Sequence, residues 1–290
     1  LDEDRRAVWK EKQGQLDPIQ LGQLGQIKEW YEETTFGRAQ DGDLPETNNP
    51  NWQAGFAGPH RHSSHLIGLH PGTLINKDNE AYMEAAMINL EERGFQATGW
   101  SKAHKINMWA RTGDAANTYK LINAMLAGNT QGMLDNLLDS HPPFQLDGNY
   151  GFTAGMTEMF IRSQLGYTQL LPTLPQQWAN GSVKGLVARG NFVVDMEWSN
   201  GIADQFRITS RNGGAFTGEY PGLAATIVKE EGGAIVPFTA ESDDKITFET
   251  EKGKTYVINR NSTPGKLNTA IQEAEDLAAS MEAALLQSAK

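Results

Sequence analysis

Two stretches hold most of the side chains in this sequence that could do chemistry. The first, HRHSSHLIGLHPG from His60 to Gly72, gathers His60, His62, His65 and His70 around Arg61. Three uses fit those residue types. His60, His62 and His65 could bind zinc, although Arg61 puts a cation inside the cluster and no HExxH-type partner exists. The imidazoles could instead satisfy buried backbone groups in a polar loop. As a third use, Arg61 and the histidines could donate hydrogen bonds to sugar hydroxyls in a substrate pocket. The second stretch is HPPFQLDGNYG, from His141 to Gly151. Two prolines impose an extended approach, and Asp147–Gly148 then turns the chain into a helix expected to open near Gly151. An acid just ahead of a helix sits beside free N–H groups and the positive end of the dipole. That suits a base or an orienting carboxylate and is wrong for a proton donor, which must hold its proton near neutral pH. Asp147 could equally do no more than cap the helix.

Other candidates are weaker. Glu29 beside Trp30, and Glu158 between Thr157 and Met159, could act as general acids if partly buried, but solvated helix glutamates are common. Trp30, Trp52, Trp100 and Trp109 could stack on sugar rings, and the last two also suit a core. No P-loop, GxSxG or dinucleotide-binding glycine pattern is present.

The elements that must position these groups fall into two halves and a tail. Over about residues 15–164 the apolar spacing is helical. Ile19, Leu21, Leu24, Ile27 and Trp30 predict one helix, and Tyr82 to Leu90 a second, ended by Arg93–Gly94. Trp100 to Ala110, Ala115 to Leu126, a short Met133 to Leu138, and Phe152, Met156, Met159 and Phe160 predict four more. Beyond Gly166 come short β-rich runs separated by Gly, Asn and Asp: 183–187, 191–198, 204–209, 225–228, 246–250 and 255–258. The expected division is a helical part over 1–166, an antiparallel β-sandwich over 167–262 and a terminal helix over 263–290.

Composition narrows the function. The net charge of −11 argues against nucleic acid and against anionic membrane surfaces, and fits neutral carbohydrate. The absence of cysteine excludes disulfides, thiolate metal sites and cysteine nucleophiles. No apolar run reaches the roughly 18 residues of a membrane span, and Leu1 to Lys10 has no apolar signal-peptide core.

Several ordered blocks carry a likeness to a known family. They are GQIKEW from Gly25, HRHSSHLIGLHPG, TGWSKAHKINMWAR from Thr98, HPPFQLDGNYG, LLPTLPQQW from Leu170 and GSVKGLVARGNFVVDMEW from Gly181. In these the chain resembles glycoside hydrolase family 95, the inverting α-1,2-L-fucosidases and relatives. The resemblance implies the C-terminal half of an (α/α)6 toroid followed by an antiparallel β-sandwich. It places the family's catalytic aspartate on Asp147 and sugar contacts on Arg61 and His62; His60, Trp100 and Asn149 are further candidate substrate-binding residues. No cofactor and no metal are implied. In the family mechanism the aspartate orients asparagines that activate a water, while a glutamate protonates the leaving oxygen, the carboxyl groups standing about 6.5–9.5 Å apart.

The glutamate and asparagines are expected ahead of Leu1. The chain alone is then expected to be inactive, and to cover its exposed helix faces with the missing N-terminal segment or a second copy. The expected substrate is a fucosylated oligosaccharide or a plant or host glycan, with α-L-galactosidase activity or a non-catalytic glycan-binding or structural fragment as alternatives. The expected location is secreted, cell-surface or periplasmic, in a bacterium. His104 stands where the family leads one to expect an aromatic residue, usually Trp.

Overall fold

The computed structural model describes residues 3–29, 31, 61–95, 97–128, 132–141 and 143–259. It divides into two compact units, Leu1–Met156 and Thr157–Lys290. The helix expected over 263–290 lies outside the described residues, as do Trp30, Trp52 and His60.

Among the described residues there are five α-helices: α1 (Glu3–Gln13), α2 (Glu80–Arg93), α3 (Gly99–Thr112), α4 (Ala115–Leu126) and α5 (Leu146–Phe160). α1 buries none of its residues, and its charged sequence gave no apolar stripe to predict it from. α2 starts at Asn79, whose side chain accepts from the Tyr82 N–H, and stops at Gly94 with φ of 61°. α4 starts at Asp114, which accepts from the Asn117 N–H at 2.9 Å. α3 is the buried element: Ala103, Ile106, Met108, Trp109 and Ala110 have no solvent exposure. α5 approaches it through Gly151 and Gly155, one turn apart. A Cβ on Gly151 would lie 2.9 Å from the Trp100 ring, and one on Gly155 2.6 Å from Ile106. Asn107 locks this contact, donating to the Gly151 carbonyl at 2.7 Å.

Two expected helices do not form. Residues 17–29 are not helical, and Leu21 and Ile27 pair across an antiparallel bridge. Gly22 and Gly25 lie inside this stretch, and each glycine costs a helix about 1 kcal/mol relative to alanine. Gly25 adopts φ of 78°, and the Gly22 N–H donates to the Gln26 carbonyl at 2.8 Å. Asn89 on α2 replaces the missing helical bonds, accepting from the Ile27 N–H at 2.7 Å and donating to its carbonyl at 3.1 Å. Met133–Leu138 likewise turns back on itself, with Met133 bridged to Asp139 and Leu137 at φ of 65°.

The second unit stacks two sheets. One has the order β1 (Ile161–Arg162), β2 (Thr168–Leu170), β6 (Gly214–Glu219), β10 (Lys245–Thr250), β9 (Thr239–Ser242). The other runs β3 (Gly181–Ala188), β4 (Phe192–Ser199), β5 (Ile202–Ser210), β11 (Thr255–Asn259), β7 (Ile227–Glu230), β8 (Ile235–Val236). Among the described residues all strand pairings are antiparallel except β2 with β6, which is parallel. Alternation along β4 buries Phe192, Val194, Met196 and Trp198 on one face. Phe192 meets Phe216, and Phe248 meets Tyr256, across the two sheets at centroid distances of 5.0 and 5.5 Å. Each such fully buried ring contributes about 1.5–3 kcal/mol relative to exposure. The helical stretch ends at Phe160, and β1 begins at Ile161 rather than after residue 166.

Candidate functional site

The site is built on the first turns of α3 and α5. α5 opens at Leu146, earlier than the sequence suggested, so Asp147 is the second residue of the helix and not the residue ahead of it. It is exposed, and among the described residues no hydrogen bond reaches its carboxylate. Asp147 is therefore a first-turn acid favoured by the helix dipole, and not a side-chain cap. Among the described residues nothing ties this carboxylate to the fold by a hydrogen bond.

Beneath it lies Asp139, which sequence reasoning did not single out. Asp139 is 1% exposed, and both carboxylate oxygens are buried without a hydrogen-bond partner among the described residues. One oxygen lies where a Cβ on Gly99 would be, 1.4 Å from that position, and the other lies 2.1 Å from the corresponding point on Gly148. The carboxylate is thus wedged between two helical first turns that only glycine permits. Burial pushes the Asp139 carboxyl up; His141 pulls it down, Asp147 adds to the rise and Lys102 opposes it, with a net increase. Asn149 holds the approach to this point. Its side-chain oxygen accepts from the Asp139 N–H at 3.0 Å, and its amide donates to the Leu137 carbonyl at 2.7 Å. Asn149, expected to bind substrate, thus clamps the 137–139 loop.

The histidine-rich stretch reaches the same place through α3. The Ser101 hydroxyl, in the first turn of α3, donates to the Arg61 carbonyl. The Arg61 Nε is buried without a partner among the described residues. His62 is half-buried beside it. Contacts therefore run from Arg61 through Ser101 and Gly99 to Asp139 and Gly148, and they gather both chemistry-bearing stretches at one end of α3. Trp100 is half-buried in the same turn, packed on Gly151 and stacked on His104 at 5.0 Å. His104 in turn meets the His70 ring at 5.9 Å. Burial lowers the His104 pKa, and the His70 carbonyl opposes that shift.

His65 and Glu29 belong elsewhere. Glu29 is ion-paired to Arg93 at 2.6 Å, accepts from the Ser64 hydroxyl at 2.8 Å and lies 3.6 Å from the His65 Nδ1. Burial pushes the Glu29 carboxyl up, but His65, Arg93 and Ser64 outweigh it and hold it at about 2. An acid ionised so firmly cannot donate a proton near neutrality. Trp109 is a core residue with no exposure. Among the described residues no group of three or more His, Asp or Glu side chains is arranged to hold a metal ion, and the zinc trio includes His60, outside them.

The model of the glycosyl hydrolase family 95 catalytic domain matches residues 1–160, and that of the family 95 C-terminal domain matches residues 162–258. Alpha-L-fucosidase 2 of Arabidopsis thaliana is 34% identical over 208 residues, covering 68% of this chain and 22% of that protein. Probable alpha-fucosidase A of Aspergillus niger is 31% identical over 209 residues, covering 65% and 24%. The protein of the same name from Aspergillus oryzae is 28% identical over 214 residues, covering 66% and 28%. The chain spans about a quarter of the length of these relatives. With the catalytic-domain match covering more than half of its residues and the C-terminal match following directly, the chain belongs to glycosyl hydrolase family 95.

Proposed function

We propose that the whole protein hydrolyses terminal α-L-fucosyl residues of an oligosaccharide or plant or host glycan, with inversion. One observation supports this: an exposed first-turn carboxylate with no hydrogen bond among the described residues, on α5, whose first turn packs on the end of α3 that also holds the Arg61 carbonyl. Asp147 orients the groups that activate the attacking water, and Arg61 and His62 bind sugar hydroxyls. The leaving oxygen is protonated by a glutamate from the part of the whole protein that this chain does not span, and Glu29, held ionised, does not serve as that acid. In the whole protein α2–α5 form part of an (α/α)6 toroid, whose other helices cover apolar side chains such as Leu74, Leu126 and Leu137.

The test is hydrolysis of a 2′-fucosylated oligosaccharide by the full-length protein, followed by proton NMR. The β-anomer of fucose should appear first, as inversion requires. Asp147→Asn should keep the fold and lower kcat at least about 100-fold with little change in KM, since the lost interaction acts mainly in the transition state. Full activity in a folded Asp147→Asn protein refutes the assignment. Preference for an α-L-galactoside redirects the substrate, and binding without turnover makes the protein a glycan-binding one.

A further inference from the structure

We propose that Asp139 is a positioning residue for Asp147, its carboxylate wedged between Gly99 and Gly148 so that it fixes the first turn of α5, which carries Asp147. The inference rests on the assignment of Asp147 made above and extends it to a residue that never touches substrate.

A buried carboxylate with neither oxygen hydrogen-bonded among the described residues destabilises a fold, so a purely structural role would be better served by an apolar side chain or by Asn. The surroundings are built around this group nonetheless. Gly99 and Gly148 lack side chains where its two oxygens sit, and Asn149 ties its backbone N–H. Lys102 on α3 and His141 ahead of α5 face it as the cationic or potentially cationic groups, and Asp147 as the anionic one. Asp147 has no hydrogen bond of its own among the described residues, so the direction of its carboxylate is set by the turn that carries it and by the local field. Asp139 holds that turn. It abuts Gly148, the residue after Asp147, and the Asp147 charge is felt at its own carboxyl. Misplacement of a catalytic group by about 1 Å can cost 100-fold in rate, so a wedge at this point is worth its cost in stability.

The experiment uses the full-length protein and two readouts. In the first, Asp139→Asn keeps the shape and removes the charge. With a native circular dichroism spectrum, kcat on the 2′-fucosylated oligosaccharide should fall about tenfold or more while KM stays within about twofold. A kcat within about twofold of the parent in the folded variant overturns the proposal. The second needs no activity and alters only an exposed side chain. The Asp139 carboxyl is followed by carbon-13 NMR titration in the parent and in Asp147→Asn. Loss of the like charge should move the Asp139 midpoint to lower pH, and a midpoint unchanged within about 0.2 pH unit overturns the coupling. If the full-length protein hydrolyses no fucoside, the functional assignment falls by itself, and the titration alone decides whether the two carboxylates are coupled.

Discussion

Gly148→Ala should destabilise the helical unit through one identifiable collision. The new Cβ would stand 2.1 Å from an Asp139 carboxylate oxygen and 2.4 Å from its Cγ, against an ordinary contact of 3.4–4 Å. Relief requires a shift of about 1 Å or more, and Asp139 has nowhere to go. Its other oxygen already fills the missing side-chain position of Gly99, and its backbone is tied to Asn149 at 3.0 Å. The first turn of α5 must therefore move against α3, where Gly151 and Asn107 set a close fit. Overpacking of this kind costs about 1–3 kcal/mol, while alanine returns less than about 1 kcal/mol of helix propensity in a first turn. The expected net loss is about 2 kcal/mol, or a Tm lower by about 4–8 °C for a cooperative unit of this size, read by scanning calorimetry. The decisive control is Asp139→Ala with Gly148→Ala. Shortening the wedge should recover most of the loss, giving a coupling above about 1 kcal/mol between the two substitutions. An unchanged Tm for Gly148→Ala, or strict additivity in the double variant, refutes the wedge.

Two further predictions concern buried charges in the helical unit. The Glu29 carboxyl is held at about 2 against an ordinary 4.5, so the folded state binds fewer protons than the unfolded chain between these values. The resulting stability, about 2–3 kcal/mol, is present above pH 4.5 and lost as pH falls towards 2, so Tm profiles of the parent and Glu29→Gln should converge over that window. The Lys105 ammonium, buried on α3, donates to the Arg93 and Gly94 carbonyls at 2.8 Å each and closes the C-terminal end of α2. Burial, then Arg93 and Lys102, lower its pKa from 10.5 to about 7. The unfolded chain then holds the extra proton between pH 7 and 10.5, so the Lys105 contribution to stability rises with pH across that interval. Lys105→Met should flatten the rise relative to the parent, and identical slopes in thermal melts between pH 7 and 10 refute the shifted group.

How far the fold could be read depended on whether local pattern and tertiary context agreed. α2, α3 and α4 were legible because an apolar stripe, a start signal and a glycine stop coincide, as at Asn79 and Gly94. β4 was legible because its alternation is nearly complete. Residues 19–30 misled because their apolar positions have helical spacing while Gly22 and Gly25 favour a turn, and the deciding partner, Asn89, is remote in sequence. β6 was missed because Gly214 and Gly218 read as turn residues; in the sheet, Gly218 lies against the Phe216 ring.

The candidate site shows the same division more sharply. Asp147 was visible because an acid before a Gly–Asn pair, after two prolines, announces a helix start within a dozen residues. Asp139 carries no such local signal. It reads as one more loop acid, and what sets it apart is the absence of side chains at Gly99 and Gly148, the first on a different helix. A single sequence records glycines as flexibility or turn chemistry, whereas here they are the negative image of a buried carboxylate. Arg61 poses the converse problem: its residue type was legible, but its place beside α3 depends on a hydrogen bond from Ser101 to its carbonyl, which no pattern of side chains encodes. Residues that act through their own chemistry can therefore be found by type and spacing, while those that act by holding another residue in place become visible only where three-dimensional packing leaves them no other reason to be charged.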